Sequence, residues 1–463
     1  MHDLTRRKFL SASAAAVAGT LDSWGPGSSP HFGPSRVFAS ADEVGLELLN
    51  PRARVPLSFV IDDSTCLVNM GHFCMPQFAQ AWPDRDIYHK PWKTWPREIP
   101  DSFVREFGTW CALHGVKGKY SIVPYPACVG WLDRGLPGWS AQELEASLRL
   151  VRELMVPHWD IHPEMITHTR AIDLKTRRPY AEATSATMEN SFPQDDRSVD
   201  ELAEYLALAL NILKNCGLPA EGITTPGGFG NRVKDKLPQA VYEAVTDVYG
   251  TELPHFFKYV REGEESTAPE LENVGTPANP RVVMNVLAGT GDWFGGWDGD
   301  RSPEPDRYAT ADGTAGRMVE LIKRGQPAIM LCHWPGMYSQ GSWQGYYAFQ
   351  RVVESLEQHY ARETIWMKMS EIGRYWAARQ MTRIARVDAQ TLTLDAPWEC
   401  RWFTFRLATA GPQPATYSVN GEPLVLREVR DVNALESNTF HATDAGTTYC
   451  VDLARGVSQL RLG

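Results

Sequence analysis

A chain of 463 residues, 43% apolar and 22% charged, is long enough for one large domain and a smaller companion, and it is globular rather than disordered. Its net charge of −10, with no basic run, excludes nucleic acid as a partner, because nothing would neutralise phosphates. Eight cysteines show neither CxxC nor zinc-finger spacing, which argues against a cysteine-ligated metal.

The chain starts with Thr5-Arg6-Arg7-Lys8-Phe9-Leu10, followed by small apolar residues from Ser11 to Leu21. Paired arginines ahead of a weakly apolar stretch predict a twin-arginine export signal, and with it a periplasmic or extracellular protein. The apolar stretch is too short and too Ala-rich to span a bilayer stably, so no membrane anchor is expected. Ala39-Ser40-Ala41 offers a cleavage site. Residues 1–45 then read as signal peptide plus a joint rich in Gly, Pro and Ser. Export permits disulfides, and Cys400 and Cys450, both in strand-like runs, are candidates for a bridge.

From residue 55 to about 380, strand-like runs alternate with helical patterns. The predicted strands are 55–61, 117–123, 159–167, 221–225, 245–250, 282–287, 328–332 and 364–367. The helices between them are 101–114, 140–155, 198–215, 235–244, 312–324, 345–360 and 370–381. Ser140 with Glu143 and Ser198 with Glu201 read as helix-start capping boxes, and Gly115 and Gly217 as helix stops. Seven or eight alternating units predict the α/β class, as a distorted parallel (β/α)7–8 barrel over residues 46–383. Long insertions at 66–98, 126–139, 168–197, 226–234 and 288–311 would form a cleft on its top face. After Arg383 the pattern changes to a two-residue period, with Asn420-Gly421 as a hairpin turn. Residues 384–463 therefore read as a small antiparallel β-sandwich.

Chemistry is expected where strands end. The apolar run Val55–Ile61 ends in Asp62-Asp63, and two adjacent buried carboxylates cost desolvation and repulsion unless a cation compensates. Taken alone, the pair is also explained by an Asx turn. Later strand ends bring Glu164 and His168, then Thr224-Thr225-Pro226-Gly227-Gly228, then Asp292-Trp293 with Trp297 and Asp298, and last Leu331-Cys332-His333-Trp334. Asp, His and His at successive strand ends form the ligand-plus-base set of a metal hydrolase. Sixteen tryptophans, many beside Gly or Pro, suit the apolar faces of sugars, although core filling accounts for most of them.

These residues resemble the motifs of the polysaccharide deacetylases, the NodB-homology group. Val60-Ile61-Asp62-Asp63 is similar to that family's Thr-Phe-Asp-Asp. Glu164-Met165-Ile166-Thr167-His168-Thr169 follows its second motif, Thr224–Gly228 keeps the Pro and Gly of its third, and Leu331-Cys332-His333 matches its Leu-x-His. The resemblance implies a secreted hydrolase that removes an acyl group, as amide or ester, from a carbohydrate or glycan. It implies a divalent metal, most simply zinc, held by Asp63 and His168, with Asp62 as base and His333 as acid. Two positions depart from the pattern. Ile172 stands where the family has its second metal-binding His, so Asp173 or His72 is the expected substitute. His162 is a weaker candidate, since an extended strand would set it ~20 Å deeper than His168. Thr224 stands where the family has the Arg that orients the base, and Arg232 is the nearby cation. Asp292, Trp293, Trp297, Trp334 and Arg232 complete the expected substrate contacts.

Two other functions fit the same sequence. One is a glycoside-active barrel using two carboxylates, for example Asp62 with Glu164 or Asp292, and no metal. The other is a glycan-binding protein that kept the fold and lost catalysis. The sequence leaves the oligomeric state open.

Overall fold

The computed structural model describes residues 45–276, 281–408 and 415–463. The twin-arginine motif and the joint up to residue 44 lie outside the described residues. Among those described, no helix is long and apolar enough to cross a membrane.

The chain is an α/β protein. Eight strands, with helices in every connection but the one between the fifth and sixth, are β1 (Val55–Asp62), β2 (Gly118–Ile122), β3 (Trp159–Pro163), β4 (Gly222–Thr224), β5 (His255–Phe257), β6 (Val282–Asn285), β7 (Ala328–His333) and β8 (Thr364–Trp366). β1 is buried along its whole length, as expected of a parallel strand covered on both faces. The parallel order β7-β1-β2-β3 makes one sheet. β4-β5-β6 run parallel in a second sheet, which Glu270–Asn273 turns mixed by pairing antiparallel with β6. The two sheets meet at single parallel bridges, Glu164 with Thr224 and Asp292 with Leu331. Strand pairing is thus two ladders joined at two seams rather than one unbroken ring. β8 stays outside this order. The amides of Val55 and Phe59, four residues apart and so pointing to one edge of β1, reach Glu363 O (2.8 Å) and Lys117 O (3.1 Å). β8 therefore shares an edge of β1 with β2, while β7 takes the other.

Both capping boxes form: Ser140 Oγ accepts the Glu143 amide (3.2 Å) and Ser198 Oγ that of Glu201 (3.1 Å). The expected strand 245–250 is instead the end of the helix Leu237–Tyr249. Its buried residues Leu237, Ala240, Val241, Ala244, Val245 and Val248 recur at helical spacing, so the valine content misled the strand reading. The insertion at 66–98 carries an unpredicted helix, Met70–Ala81, which starts on an Asn69 cap and holds Pro76. The third strand stops at Pro163, and residues 164–168 form a turn.

The C-terminal region builds two five-stranded sheets. One contains Cys400–Leu407 and Gly446–Leu453 and takes in Leu46–Leu48 as an antiparallel edge. The other contains Thr391–Ala396, Gly456–Leu462 and Ala415–Val419. The hairpin at Asn420-Gly421 forms, both residues having positive φ (51° and 84°) as the two-residue turn requires. Leu394, Tyr417 and Leu460 share one core with Phe403, Phe405 and Tyr449, and with Tyr375 and Trp376 of the helix Met369–Met381. All eight thiols are free. Cys400 opposes Leu453 and Cys450 opposes Thr404, so the two candidates for a bridge are out of register.

Candidate active site

Asp62 ends β1, and Asp63 follows it in the left-handed region (φ 60°). Met165 (φ 48°) and His168 (φ 61°) share that conformation in the turn after β3. Such backbone costs about 1–3 kcal/mol per non-glycine residue and persists only where its surroundings fix it. Here two buried carboxylates do so. Glu164 Oε2 accepts the Asp63 amide at 2.7 Å. Glu189 accepts three successive amides, from Ile166 (3.1 Å), Thr167 (2.8 Å) and His168 (2.5 Å), together with the Tyr205 hydroxyl. Burial pushes the Glu189 carboxyl up, against the pull of the Tyr205 hydroxyl and these amides.

These turns bring three ligand-type side chains together. His168 Nε2 lies 2.7 Å from Asp63 Oδ1 and 3.3 Å from Glu164 Oε1. One donor atom from each residue falls within 4.8 Å of the others. Asp63 is 1% exposed, and its Oδ1 faces the His168 ring nitrogen. Burial alone would lower the basicity of His168, but the Asp63 carboxylate outweighs it and holds the imidazole well above its usual range. Two buried carboxylates and one imidazole nitrogen converging on one point fit a divalent cation.

Beside this trio stand two further pairs. Lys119, on β2, is completely buried, and its ammonium meets Asp62 Oδ1, Ile61 O (3.0 Å) and Ser121 Oγ (2.7 Å). Burial raises the Asp62 carboxyl above its ordinary range, with Lys119 opposing and Glu164 adding to the rise. His333 is the parallel-register neighbour of Asp62. Its Nδ1 is 2.8 Å from Asp292 Oδ2, which also accepts the His333 amide at 3.2 Å. Burial would lower the His333 pKa, but the Asp292 hydrogen bond and the charges of Asp63, Asp292 and Asp62 push it up to about 9. With Nδ1 taken, Nε2 is the atom left to pass a proton.

Several expected residues lie elsewhere. Asp173 is not in the cluster: its carboxylate accepts the Lys175 amide (2.8 Å) and shapes a hairpin turn, while Ile172 is core. Glu164 takes the third place. Arg232 is exposed and donates to Gln194 O (2.9 Å), so Lys119 is the cation on Asp62. His72 bonds Trp95 O (3.0 Å). His162 faces His255, with the two Nε2 atoms 2.8 Å apart, and Thr224 Oγ1 at 3.2 Å. Asp292 holds His333 rather than facing a substrate. Trp334 is fully buried against Phe103, Phe107 and Tyr120 and is a core residue. Trp293 is covered by Arg307 (4.1 Å) and Tyr308 (4.8 Å), which occupy its ring.

Trp297 alone of the expected aromatics reaches the site's rim. It is half-buried and packs on Phe78 (5.2 Å) and Tyr88 (5.9 Å), and Phe78 lies 6.2 Å from the His168 ring. The buried Asp298 beside it takes Lys90 at 2.6 Å, tying the 288–311 loop to the segment after the helix Met70–Ala81. A cleft of about 670 Å³ opens at the other end of the strands beside Lys117, Asp160 and Glu221 and holds none of these groups. Sequence reasoning missed Lys119 and Glu189. Glu164 carried a signal, standing four residues before His168 as the first residue of the motif.

The sequence matches no protein-family profile and no curated protein. Among solved structures, a mutant of a CE4 family pseudoenzyme with restored activity is similar at 11% identity and TM-score 0.28, over 69% of this chain and 67% of that one. A glycoside hydrolase/deacetylase from Parabacteroides distasonis, described as putative, gives 10% identity and TM-score 0.36 over 80% and 84%. The catalytic domain of GH30 xylanase C from Talaromyces cellulolyticus gives 8% and 0.29 over 90% and 99%. At these scores the similarities carry no argument about this chain, and its function has to be read from the site.

Proposed function

We propose that this protein is a metal-dependent hydrolase that removes an acyl group, as amide or ester, from a carbohydrate. The observation that carries this reading is the convergence of Asp63, Glu164 and His168 beside a Lys119-held Asp62 and an Asp292-held His333. A divalent cation on the trio, zinc in the simplest case, supplies Lewis acidity for the acyl carbonyl. Asp62 takes the proton of the attacking water as its oxygen bonds to the acyl carbon, and its raised basicity suits it to that role. Lys119 keeps the carboxylate in place. His333 Nε2 then gives its proton to the departing amine or alkoxide as the C–N or C–O bond breaks. Trp297, half-buried on the core residues Phe78 and Tyr88, offers a sugar an apolar face. A twin-arginine signal would put this activity outside the cytoplasm.

The two-carboxylate glycosidase is less well supported, because both partners proposed for Asp62 are engaged. Glu164 holds the Asp63 amide and Asp292 holds His333. Elemental analysis of the purified protein, followed by acetate release from acetylated chitooligosaccharides and acetylated xylan with and without a chelator, tests the proposal. Release that disappears with the chelator and returns with zinc is expected. Saccharide binding with no release from either substrate would favour the binding protein instead.

A further inference from the structure

We propose that Glu164 is the third protein ligand of the metal centre, and that this one-imidazole, two-carboxylate set narrows the preference for zinc over manganese. The inference rests on the metal-binding part of the proposed function and on no reaction. Three observations converge on it. Ile172, where a second imidazole would stand, is 1% exposed and apolar, and Asp173 is turned into its own hairpin. Glu164 divides its two oxygens: Oε2 is fixed by the Asp63 amide at 2.7 Å, which leaves Oε1 as a single oriented oxygen 3.3 Å from His168 Nε2. Asp63 Oδ1, buried and 2.7 Å from the same His168 Nε2, faces the same point.

The donor set decides the chemistry. Two carboxylates and a neutral imidazole carry two negative charges, which one divalent cation neutralises. Oxygen donors suit hard ions such as manganese, whereas each added imidazole favours zinc more than manganese. Zinc still binds more tightly to any such set; what falls is its margin.

The test uses the metals alone on chelator-treated full-length protein. Dissociation constants for Zn2+ and Mn2+ are measured by competition with an indicator dye, for the wild type, Glu164→Gln and Glu164→His. Glu164→Gln keeps an oxygen for the Asp63 amide and should weaken both metals about 100-fold. Glu164→His should widen the zinc-to-manganese affinity ratio about tenfold or more. Electron spin-echo spectroscopy of wild-type Mn2+ protein, which needs no variant to fold, should show coupling to one histidine nitrogen. Unchanged affinities in Glu164→Gln, an unchanged ratio in Glu164→His, or two coupled histidines would each overturn the inference. Metal binding by this pattern without acyl release would leave it standing and remove the hydrolase reading. A protein that binds neither metal would remove both.

Discussion

Lys119→Met is the perturbation that most directly tests how the site is built. Its ammonium is fully buried and meets Asp62 and two further oxygens, so the methionine leaves a buried carboxylate without its counter-charge. Breaking one partner of a buried ion pair costs about 3–5 kcal/mol, more than the packing lost in a near-isosteric change. The Asp62 carboxyl, already raised by burial, would rise further once the opposing ammonium is gone. The sign follows from linkage. An acid whose folded pKa lies above its unfolded value of about 3.9 destabilises the fold at high pH and is relieved as pH falls through the folded pKa. Lys119→Met should therefore unfold earlier than wild type at neutral pH and regain part of the difference on acidification. Lys119→Met with Asp62→Asn should regain most of it at every pH, because no buried charge remains. Thermal melts across pH for the four members of this cycle measure the coupling. In acyl release, kcat should drop about 10²–10⁴-fold, the range set by loss of a positioned base. The reasoning is refuted if Lys119→Met melts like wild type, or if the double variant with Asp62→Asn is no more stable than Lys119→Met alone.

Four other outcomes follow from the same geometry. Asp292→Asn keeps a hydrogen-bond acceptor but removes the charge that helps push the His333 pKa up to about 9, so the alkaline limb of kcat/KM should move toward neutral pH, as read from a pH–rate profile. Glu189→Gln loosens the turn of residues 166–168; a stability loss of about 1–3 kcal/mol in denaturant melts should accompany a 10–100-fold weaker metal site. His255 is buried and held neutral, burial lowering its pKa to about 4; a folded value below the unfolded one means full stability above about pH 6.5 and a loss as pH falls toward 4, about 3 kcal/mol in all. A melting midpoint that does not move over that interval would contradict this. Trp297→Ala should raise KM for a glycan with little change in kcat, whereas Trp334→Ala should cost about 3–5 kcal/mol of stability by opening the core.

Local patterns carried most of the architecture and one half of the site. Alternation of buried runs with capped helices was readable because Ser140, Ser198 and the β1 run each signal their state within a few residues. Where a local signal was ambiguous, the reading failed: Val245 and Val248 look like strand residues until their spacing with Ala240, Val241 and Ala244 is counted as a helix stripe. The helix Met70–Ala81 was hidden by Gly71 and Pro76. Asp62, Asp63, His168 and His333 were legible because each follows a strand, and strand ends are where an α/β sheet exposes side chains. Their partners were not legible, for a geometric reason. Lys119 is 57 residues from Asp62, Asp292 is 41 from His333, and Glu189 is 21 from His168. The first two pairings exist because parallel strands set their ends side by side, and the third because the insertion after β3 folds a short helical turn back onto residues 166–168. Glu164 stands beside His168 at one seam between the two sheets, and Lys119 on β2 meets Asp62. What the fold brings together is a point in space, and any strand end or neighbouring interior position that reaches it can supply a charge there. A search along the sequence looks for the substitute beside the lost residue, as Asp173 and Arg232 illustrate, and finds side chains that close turns instead.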